Sequence, residues 1–374
     1  MAGVMLGTYH LALYVLLLLI DMTALGKSVV IGATFALQRG PFKTFDPFLF
    51  CVHHRDEYPM GRENMGPDPA SLVHRDIGMD FSYEDGWSMY HGAEVPGFPA
   101  HPHRGFETVT IALEGLVDHA DSMGCTARYG FGDTQWMTAG RGVQHSEMMP
   151  LLKTDAPNPL ELFQIWLNLP KRDKMCEPAF EMFWAEETPS VQLHDASSGK
   201  SAQVLVVAGQ LHEATPLAPP PHSWAADAEH DVALWVVDLP AGCTVTLPPA
   251  RTGPQATRAV YFVRGDELLV GSDRWGSRTG GRVDASVPLT LSAVGGDAVK
   301  VLLMQGRPIG EPVAQHGPMV MNTRQEIFQA FEDYQRTQFG GWPWKEHDHV
   351  HPRDKPRHAF QNGQTNLPPA ARRS

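Results

Sequence analysis

A regular alternation of apolar and polar residues marks the stretch "ETVTIALEG", which begins at Glu107. Val109, Ile111 and Leu113 share one side of an extended chain, and the residues between them share the other. Successive side chains of a strand point to opposite faces, so the pattern predicts a β-strand with one buried side. The stretch "FQIWLNLP", which begins at Phe163, predicts a second strand of the same kind.

Turn residues separate many such stretches from about residue 28 onward. The chain contains 35 Gly and 31 Pro, a composition that favours many short strands over long helices. "FETVTIALEGLVDHAD" also aligns with "ATRAVYFVRGDELLVGSD" at an offset of 150 residues, which places Gly115 over Gly265. We therefore predict an all-β protein with two related domains in tandem.

The end of the chain has a different pattern. In "NTRQEIFQAFEDYQRTQFGG", Thr323 and Glu326 form a capping box, and Gly340 and Gly341 provide a stop. The apolar residues between them have helical spacing and predict one helix that packs on the β-domains. These residues are Ile327, Ala330, Phe331 and Tyr334.

These patterns divide the chain into four parts. Residues 1–27 form an apolar leader, 28–185 the first domain, 200–320 the second domain, and 321–374 the C-terminal helix and tail. The polar stretch between about 185 and 200 connects the two domains.

The leader contains "LALYVLLLLI", which is shorter than the roughly 20 apolar residues of a membrane-spanning helix. No Lys or Arg precedes it and Asp21 follows it, so the charged start of a secretory signal is missing. We expect no membrane span and a cytoplasmic or nuclear protein. Secretion or organelle import through residues 1–26 is the alternative.

The net charge bears on nucleic-acid binding, and the cysteines bear on the cellular compartment. A net charge of -12 disfavours direct nucleic-acid binding, since that binding depends on Lys and Arg neutralising phosphates. The four cysteines have no close spacing, which is typical of reduced thiols in an intracellular protein. Cys125 is either an inert buried thiol or a redox-sensitive one. We expect a monomer.

Two pairs of residues suggest a metal site. If the strand of Val109 continues backwards without a bulge, then Glu107, His103 and His101 point to the same interior as Val109. In "GRGVQHSEMMP", His145 and Glu147 also share one parity. Two such pairs on neighbouring strands would place three imidazoles and one carboxylate around one point.

This ligand set suits Fe(II), with Ni, Cu, Mn or Zn as other options. Four ligands leave about two positions of an octahedral ion open for substrate or dioxygen. Glu107 is the competing carboxylate: it would ligate in place of Glu147 or orient a ligand imidazole. The equivalent positions of the second domain are Arg251, Gly253 and Thr257, so we predict no metal there.

Four stretches resemble the pirin family, whose members contain two cupin domains. They are "FKTFDPFLFCVHHRDEYPMG", "GFPAHPHRGFETVTIALEG", "GDTQWMTAGRGVQHSEMMP" and "FQIWLNLP", and the resemblance extends to the closing "MNTRQEI" helix. It implies two tandem cupin barrels (double-stranded β-helices, or jelly rolls) followed by a helix. It also implies iron in the first barrel, held by His101, His103, His145 and Glu147, and a second barrel without metal.

The resemblance further implies an activity like that of flavonol dioxygenases, also called quercetinases. The expected ligands are then a flavonol and dioxygen, with Glu147 as the catalytic base that takes the hydroxyl proton of the substrate. The alternative is a non-enzymatic iron or redox sensor that binds a transcription factor, as mammalian pirin is described. A purely structural metal is a third reading.

Other histidines are weaker candidates. His347, His349 and His351 form either a second metal site or a solvated tail, and the tail is the preferred interpretation. His53 and His54 are adjacent, so they would face opposite sides of a strand, and joint ligation is not expected. A further set of residues either lines a pocket over the metal or belongs to the core: Met89, Tyr90, His91, Phe98, Phe163 and Trp166.

Overall fold

The computed structural model describes residues 28–369. The predicted leader, residues 1–27, lies outside the described residues. No helix within 28–369 is both long enough and apolar enough to span a membrane.

Strands account for most of the regular structure, as the alternating pattern predicts. In the first half they are β1 (Val30–Ala36), β2 (Phe48–Tyr58), β3 (Gly97–His103), β4 (Phe106–Glu114), β5 (Leu116–Asp121), β6 (Thr126–Gly130), β7 (Asp133–Thr138), β8 (Val143–Met148), β9 (Asn158–Asn168) and β10 (Ala179–Phe183). In the second half they are β11 (Ser190–Asp195), β12 (Lys200–Ala208), β13 (Ala233–Leu239), β14 (Thr244–Leu247), β15 (Thr257–Arg264), β16 (Glu267–Val270), β17 (Asp273–Gly276), β18 (Thr279–Val283), β19 (Leu289–Ala293), β20 (Val299–Gly306), β21 (Ala314–His316), β22 (Met319–Met321), β23 (His358–Gln361) and β24 (Gln364–Asn366).

The α-helix α1 (Arg324–Thr337) lies where the capping box predicts it. Thr323 and Glu326 bond reciprocally at its start, and the predicted apolar stripe packs on Met319 and Met321. Short 3₁₀ helices occupy Pro69–Leu72, Glu84–Gly86, Trp224–Ala226, Ala228–His230, Gly253–Gln255 and Gln338–Gly340.

Four large sheets form two sandwiches. The first sandwich pairs the sheet β10-β7-β4-β9-β2 with the sheet β24-β23-β6-β5-β8-β3, and the second pairs β1-β18-β15-β20-β13-β12-β11 with β14-β19-β16-β17. Strand β1 precedes the first sandwich in the chain but joins the second by pairing with β18. Gly115 and Gly265 both separate consecutive strands with positive φ, as the repeat predicts. The predicted all-β architecture with a C-terminal helix is confirmed.

The two sandwiches share a buried apolar layer. Val109 and Ile111 of β4 pack in it with Phe163 of β9, against Leu302 of β20 and other residues of the second sandwich. The apolar face of these strands therefore faces the other domain, while the polar face lines the interior of the first barrel. Because both faces of β4 are covered, the alternation alone could not show which face holds the site.

The C-terminal tail is only partly solvated: His351 is buried, contrary to the preferred interpretation, whereas His347 is exposed as that interpretation expects. Strand β23 pairs with β6 and extends the sheet of the first sandwich. The guanidinium of Arg128 donates to the carbonyl oxygens of His351, Pro352 and Lys355 at 2.8–3.0 Å. Arg128 is itself held by Asp118 at 2.7 Å. A buried ion pair thus anchors the tail to the first domain.

Candidate metal centre

Strands β3 and β8 position the predicted histidines. They pair antiparallel, and His101 lies opposite His145 in the register. The expectation of one continuous strand from His101 to Val109 is wrong: β3 ends at His103, and Gly105, with a φ of 85°, separates it from β4. A Cβ at Gly105 would come within 1.9 Å of the Val320 carbonyl oxygen. Only glycine fits this corner, where the chain passes from one sheet to the other.

The turn before β8 also needs glycine. Gly140 and Gly142 both have positive φ. A Cβ at Gly142 would collide with the ring of Phe339, whose nearest atom would be 2.6 Å away. The chain therefore makes a tight glycine turn just before His145.

Three predicted ligands meet in the interior of the first barrel. One nitrogen from each of His101, His103 and His145 lies within 4.8 Å of the other two. Among residues 28–369, no other group of three or more His, Cys, Asp or Glu side chains comes together in this way. Glu147 adjoins the cluster, with its Oε2 at 3.8 Å from His145 Nε2.

The hydrogen bonds of the cluster fit a metal ion. His101 Nδ1 lies 2.9 Å from the carbonyl oxygen of Pro99, to which it donates, so its Nε2 carries the free lone pair. His103 Nδ1 and both ring nitrogens of His145 are buried and have no partner among the described residues. Unpaired buried polar atoms are costly, and a cation at the centre would bind the lone pair on one nitrogen of each ring.

Burial also sets the protonation of the cluster. It lowers the pKa of His101 to about 4 and those of His103 and His145 well below the ordinary value. Near neutral pH all three rings are therefore uncharged, which is the form that ligates a metal.

Two side chains that the sequence reasoning missed hold Glu147. Thr110 Oγ1 donates to its Oε1 at 3.0 Å and Gln164 Nε2 donates to its Oε2 at 2.5 Å. Burial raises the pKa of Glu147, and these two hydrogen bonds oppose the rise. Both donors lie on the polar faces of β4 and β9. The sequence carried a signal for Thr110, because it lies on the polar side of an alternating strand that leads from the His101 and His103 motif.

Glu107 does not take part in the cluster, so its proposed role as competing carboxylate is wrong. Its carboxylate accepts hydrogen bonds from Trp136 Nε1 at 3.2 Å, Thr138 Oγ1 at 2.7 Å and Ser223 Oγ at 2.7 Å. Ser223 belongs to the second half of the chain. Because Glu107 shares the face of Val109, it points to the interface between the two sandwiches.

A cavity of about 1190 Å³ opens beside the cluster. His101, His103 and Glu147 contribute to its wall, together with Phe50, Phe98 and Trp166. Of the suggested pocket residues, Tyr90, His91, Phe98 and Trp166 line it, whereas Met89 and Phe163 are buried in the apolar cores. Arg264 and Arg278 from the second domain also line the cavity, and no sequence pattern indicated them.

The remaining candidates have other environments. His351 is buried and its Nε2 lies 2.9 Å from Thr126 Oγ1, while His53 Nε2 lies 3.0 Å from Glu161 Oε1. His119, which the sequence reasoning missed, stands next to His145 and has Asp121 at 3.2 Å. Burial raises the pKa of Cys125 to about 12, which favours the inert thiol over a redox-sensitive one.

Comparisons with known proteins agree with this geometry. The family model described as "Pirin" matches residues 36–167, and the one described as "Pirin C-terminal cupin domain" matches residues 234–340. The chain belongs to the pirin family. The predicted resemblance and the two-cupin fold are therefore confirmed.

Relatives in the family come from bacteria and eukaryotes. A pirin-like protein of Caulobacter vibrioides is 38% identical over 276 residues, which are 74% of this chain and 91% of that protein. Human pirin is 33% identical over 267 residues, 67% of this chain and 80% of its own length. The crystal structure of a quercetin 2,3-dioxygenase from Acinetobacter baumannii is similar with a TM-score of 0.64 and 26% identity, covering 83% of this chain and 98% of that one.

Proposed function

We propose that this pirin-family protein is a metal-dependent dioxygenase of flavonols such as quercetin. The observation that carries the proposal is the meeting of three uncharged imidazoles beside Glu147, with His101, His103 and Glu147 in the wall of a large cavity lined by aromatic side chains. Similarity to the quercetin 2,3-dioxygenase of Acinetobacter baumannii supports the choice of substrate. The proposed reaction consumes dioxygen, opens the central ring of the flavonol and releases carbon monoxide.

In this proposal His101, His103, His145 and Glu147 hold Fe(II), with Ni, Cu, Mn or Zn as replacements. The bound ion would supply positive charge beside the substrate oxygen and open coordination positions. The protein fixes the ligands through strand pairing and through the hydrogen bond of His101 to Pro99.

Protein side chains supply the rest of the site. The rings of Phe98 and Trp166 offer flat apolar surfaces for a planar flavonol. Glu147 is the proposed base for the substrate hydroxyl. Each of its oxygens accepts one hydrogen bond, and a carboxylate oxygen has a second lone pair that remains available for the proton.

The test measures oxygen uptake and carbon monoxide release with quercetin by the Fe(II)-loaded protein. We expect both, in equal amounts, and a loss of at least about 100-fold in the rate for Glu147→Gln, in the range for removal of a general base. The variant His194→Gln is the control, since His194 is exposed on β11.

Absence of turnover with several flavonols would contradict the enzyme proposal. The protein would then be a non-enzymatic iron or redox sensor with a protein partner, acting in the cytoplasm or nucleus. Unfolding of the first domain on removal of the metal would instead favour a structural ion.

A further inference from the structure

A chain of three polar side chains leads from the cavity into the core of the first domain, away from the metal ligands. His54 Nδ1 lies 2.7 Å from Tyr90 Oη, and Tyr90 Oη donates to Asp56 Oδ2 at 2.8 Å. His54 and Asp56 are two residues apart on β2 and share a face. All three side chains are buried, with exposed fractions of 9% or less. His54 and Tyr90 nevertheless contribute to the cavity wall.

Tyr90, which links His54 to Asp56 by hydrogen bonds, has an unusual backbone conformation. Tyr90 has a φ of 57°, in the left-handed region that non-glycine residues seldom adopt. Two backbone hydrogen bonds with Asp80, each 2.9 Å long, fix it there. Such conformations persist where the surroundings over-determine them and cluster at functional sites.

The hydrogen bonds determine which atom of His54 faces the ligand. Asp56 accepts from the backbone N–H of Ser88 through Oδ1, at 3.0 Å, and from Tyr90 through Oδ2. With Asp56 ionised, the single hydroxyl proton of Tyr90 points to Asp56, so Tyr90 Oη must accept from His54 Nδ1–H. His54 Nε2 then carries a lone pair. It makes no hydrogen bond within the described part of the chain and is not fully enclosed.

A ligand in the cavity would meet both His54 and the metal cluster. The ring of Phe98 lies 6.0 Å from the ring of His54 and 6.4 Å from that of His101, measured between centroids. The ring of Tyr90 stacks on that of Phe98, with the centroids 5.1 Å apart. A planar ligand against Phe98 therefore lies near both His54 and the metal cluster.

We propose that His54 Nε2 accepts the proton of a ligand hydroxyl, with Tyr90 and Asp56 as positioning residues that pass the charge into the core. The ligand O–H bond breaks as Nε2–H forms. The Nδ1 proton moves to Tyr90 Oη, and the original Tyr90 proton moves to Asp56 Oδ2. The ligand becomes an oxyanion, and His54, Tyr90 and Asp56 are all neutral at the end.

This proposal rests on the proposed function only for the identity of the ligand, a flavonol. It adds a proton acceptor that is separate from Glu147. The acceptor also selects among ligands, because it favours a planar molecule with an acidic enol or phenol hydroxyl over one without it.

The surroundings favour a proton on Asp56 over one on His54. Burial raises the pKa of Asp56 to about 7 and lowers that of His54 to about 3. The groups that face Asp56 are Tyr90, Tyr58, Tyr83 and the ion pair of Arg75 with Asp80, whose atoms are 2.9 Å apart. The titratable neighbours of His54 on its own strand are His53, which lies beside Glu161 and whose pKa burial lowers, and the exposed Arg55.

The test follows ionisation of a bound probe, without turnover. The probe is 7-hydroxyflavone, whose one hydroxyl lies at the end of the molecule away from its carbonyl oxygen and gives an anion that absorbs at longer wavelength. The full-length protein is loaded with Zn²⁺, which has no redox chemistry and leaves the probe intact. The absorbance of the bound probe is then titrated against pH in the wild type and in Tyr90→Phe, which keeps the aromatic ring and removes the relay hydroxyl.

We expect the apparent pKa of the bound probe to be higher in Tyr90→Phe by about one unit, a tenfold fall in the ratio of anion to neutral form. Asp56→Asn is a second variant that should produce the same shift by a different change. Tyr334→Phe is the matched control, since Tyr334 lies on α1 outside the cavity and its hydroxyl donates to Gln144 Oε1. Its titration should follow the wild type.

Identical probe titrations in the wild type, Tyr90→Phe and Asp56→Asn would overturn the proposal. Turnover of quercetin by the iron-loaded protein together with such identical titrations would support the dioxygenase proposal and contradict proton transfer through His54, Tyr90 and Asp56. A shifted titration without turnover would support proton transfer through these three residues and contradict the dioxygenase proposal.

Discussion

At the scale of single residues, the two ring nitrogens of His145 are the strongest indication that the site binds a metal. Both are buried and have no hydrogen-bond partner within residues 28–369, and burial lowers the pKa of the ring so far that it carries no second proton near neutral pH. A ligand role gives a partner to the nitrogen that carries the lone pair and requires the uncharged ring.

We therefore expect His145→Ala to reduce the bound metal from about one ion per chain to nearly none, measured by elemental analysis after dialysis. Glu147→Gln should weaken binding less, because the three imidazoles remain. His194→Ala, an exposed histidine of the second domain, should bind metal like the wild type. Full metal content in His145→Ala would rule out the cluster as the metal site.

The same residues show what the sequence could reveal about the site. His101, His103, His145 and Glu147 form two short motifs, and local spacing was enough to propose that they meet. Thr110 and Gln164 reach Glu147 from separate strands, 37 and 17 residues away. Only tertiary packing brings such donors together, so spacing along the chain could not indicate them.

At the scale of elements, the corner between β3 and β4 decides where His103 points. Gly105 and Gly124 have nearly the same φ, 85° and 84°. A Cβ at Gly105 would lie 1.9 Å from a backbone oxygen, whereas a Cβ at Gly124 would have nothing within 4 Å. Replacing each glycine by alanine therefore compares the cost of a positive φ alone, at Gly124, with that cost plus a steric collision, at Gly105.

Gly124→Ala should lower the free energy of unfolding by about 1 kcal/mol, the cost of placing alanine at positive φ. Gly105→Ala should lower it by about 3–5 kcal/mol, because β3 must also move away from Val320. Denaturant titration measures both values, and metal content reports whether His103 has shifted. Equal losses in the two variants would contradict the role of Gly105.

Element types were predictable because strand alternation and helix capping are local patterns. Thr323 and Glu326 located the helix start within the sequence. The orientation of β4 was not predictable, since its apolar face packs on a second domain and its polar face on the site. The tail "WKEHDHVHPRDKPRH" has no alternation, so its attachment through Arg128 could not be anticipated.

At the scale of the whole molecule, Glu107 joins the two domains. It is fully buried in the first domain and accepts a hydrogen bond from Ser223 of the second. Desolvation raises its pKa from 4.5 to about 7, although hydrogen bonds from Ser223, Thr138 and Trp136 act in the opposite direction. The folded protein therefore keeps the proton of this carboxyl over a pH range in which the unfolded chain releases it.

This difference makes the stability of the assembled domains depend on pH. Below about pH 4.5 the carboxyl is protonated in both the folded and the unfolded state. The buried, neutral Glu107 then makes its full contribution to the free energy of unfolding. As the pH rises towards 7, ionisation favours the unfolded chain, so the contribution is lost. In Glu107→Gln the amide cannot ionise and this loss is removed. Between about pH 5 and 7.5, the wild type should lose on the order of 2–3 kcal/mol of unfolding free energy relative to Glu107→Gln.

Denaturant titrations of both proteins at several pH values measure the difference, in which the contributions of all other titrating groups cancel. Glu187→Gln is the control, since Glu187 is exposed and its replacement should leave the pH profile unchanged. Parallel profiles for the wild type and Glu107→Gln would mean that the three hydrogen bonds fully offset burial, so that Glu107 is ionised at the interface. A single unfolding transition in each protein would further indicate that the shared apolar layer makes the two domains unfold together.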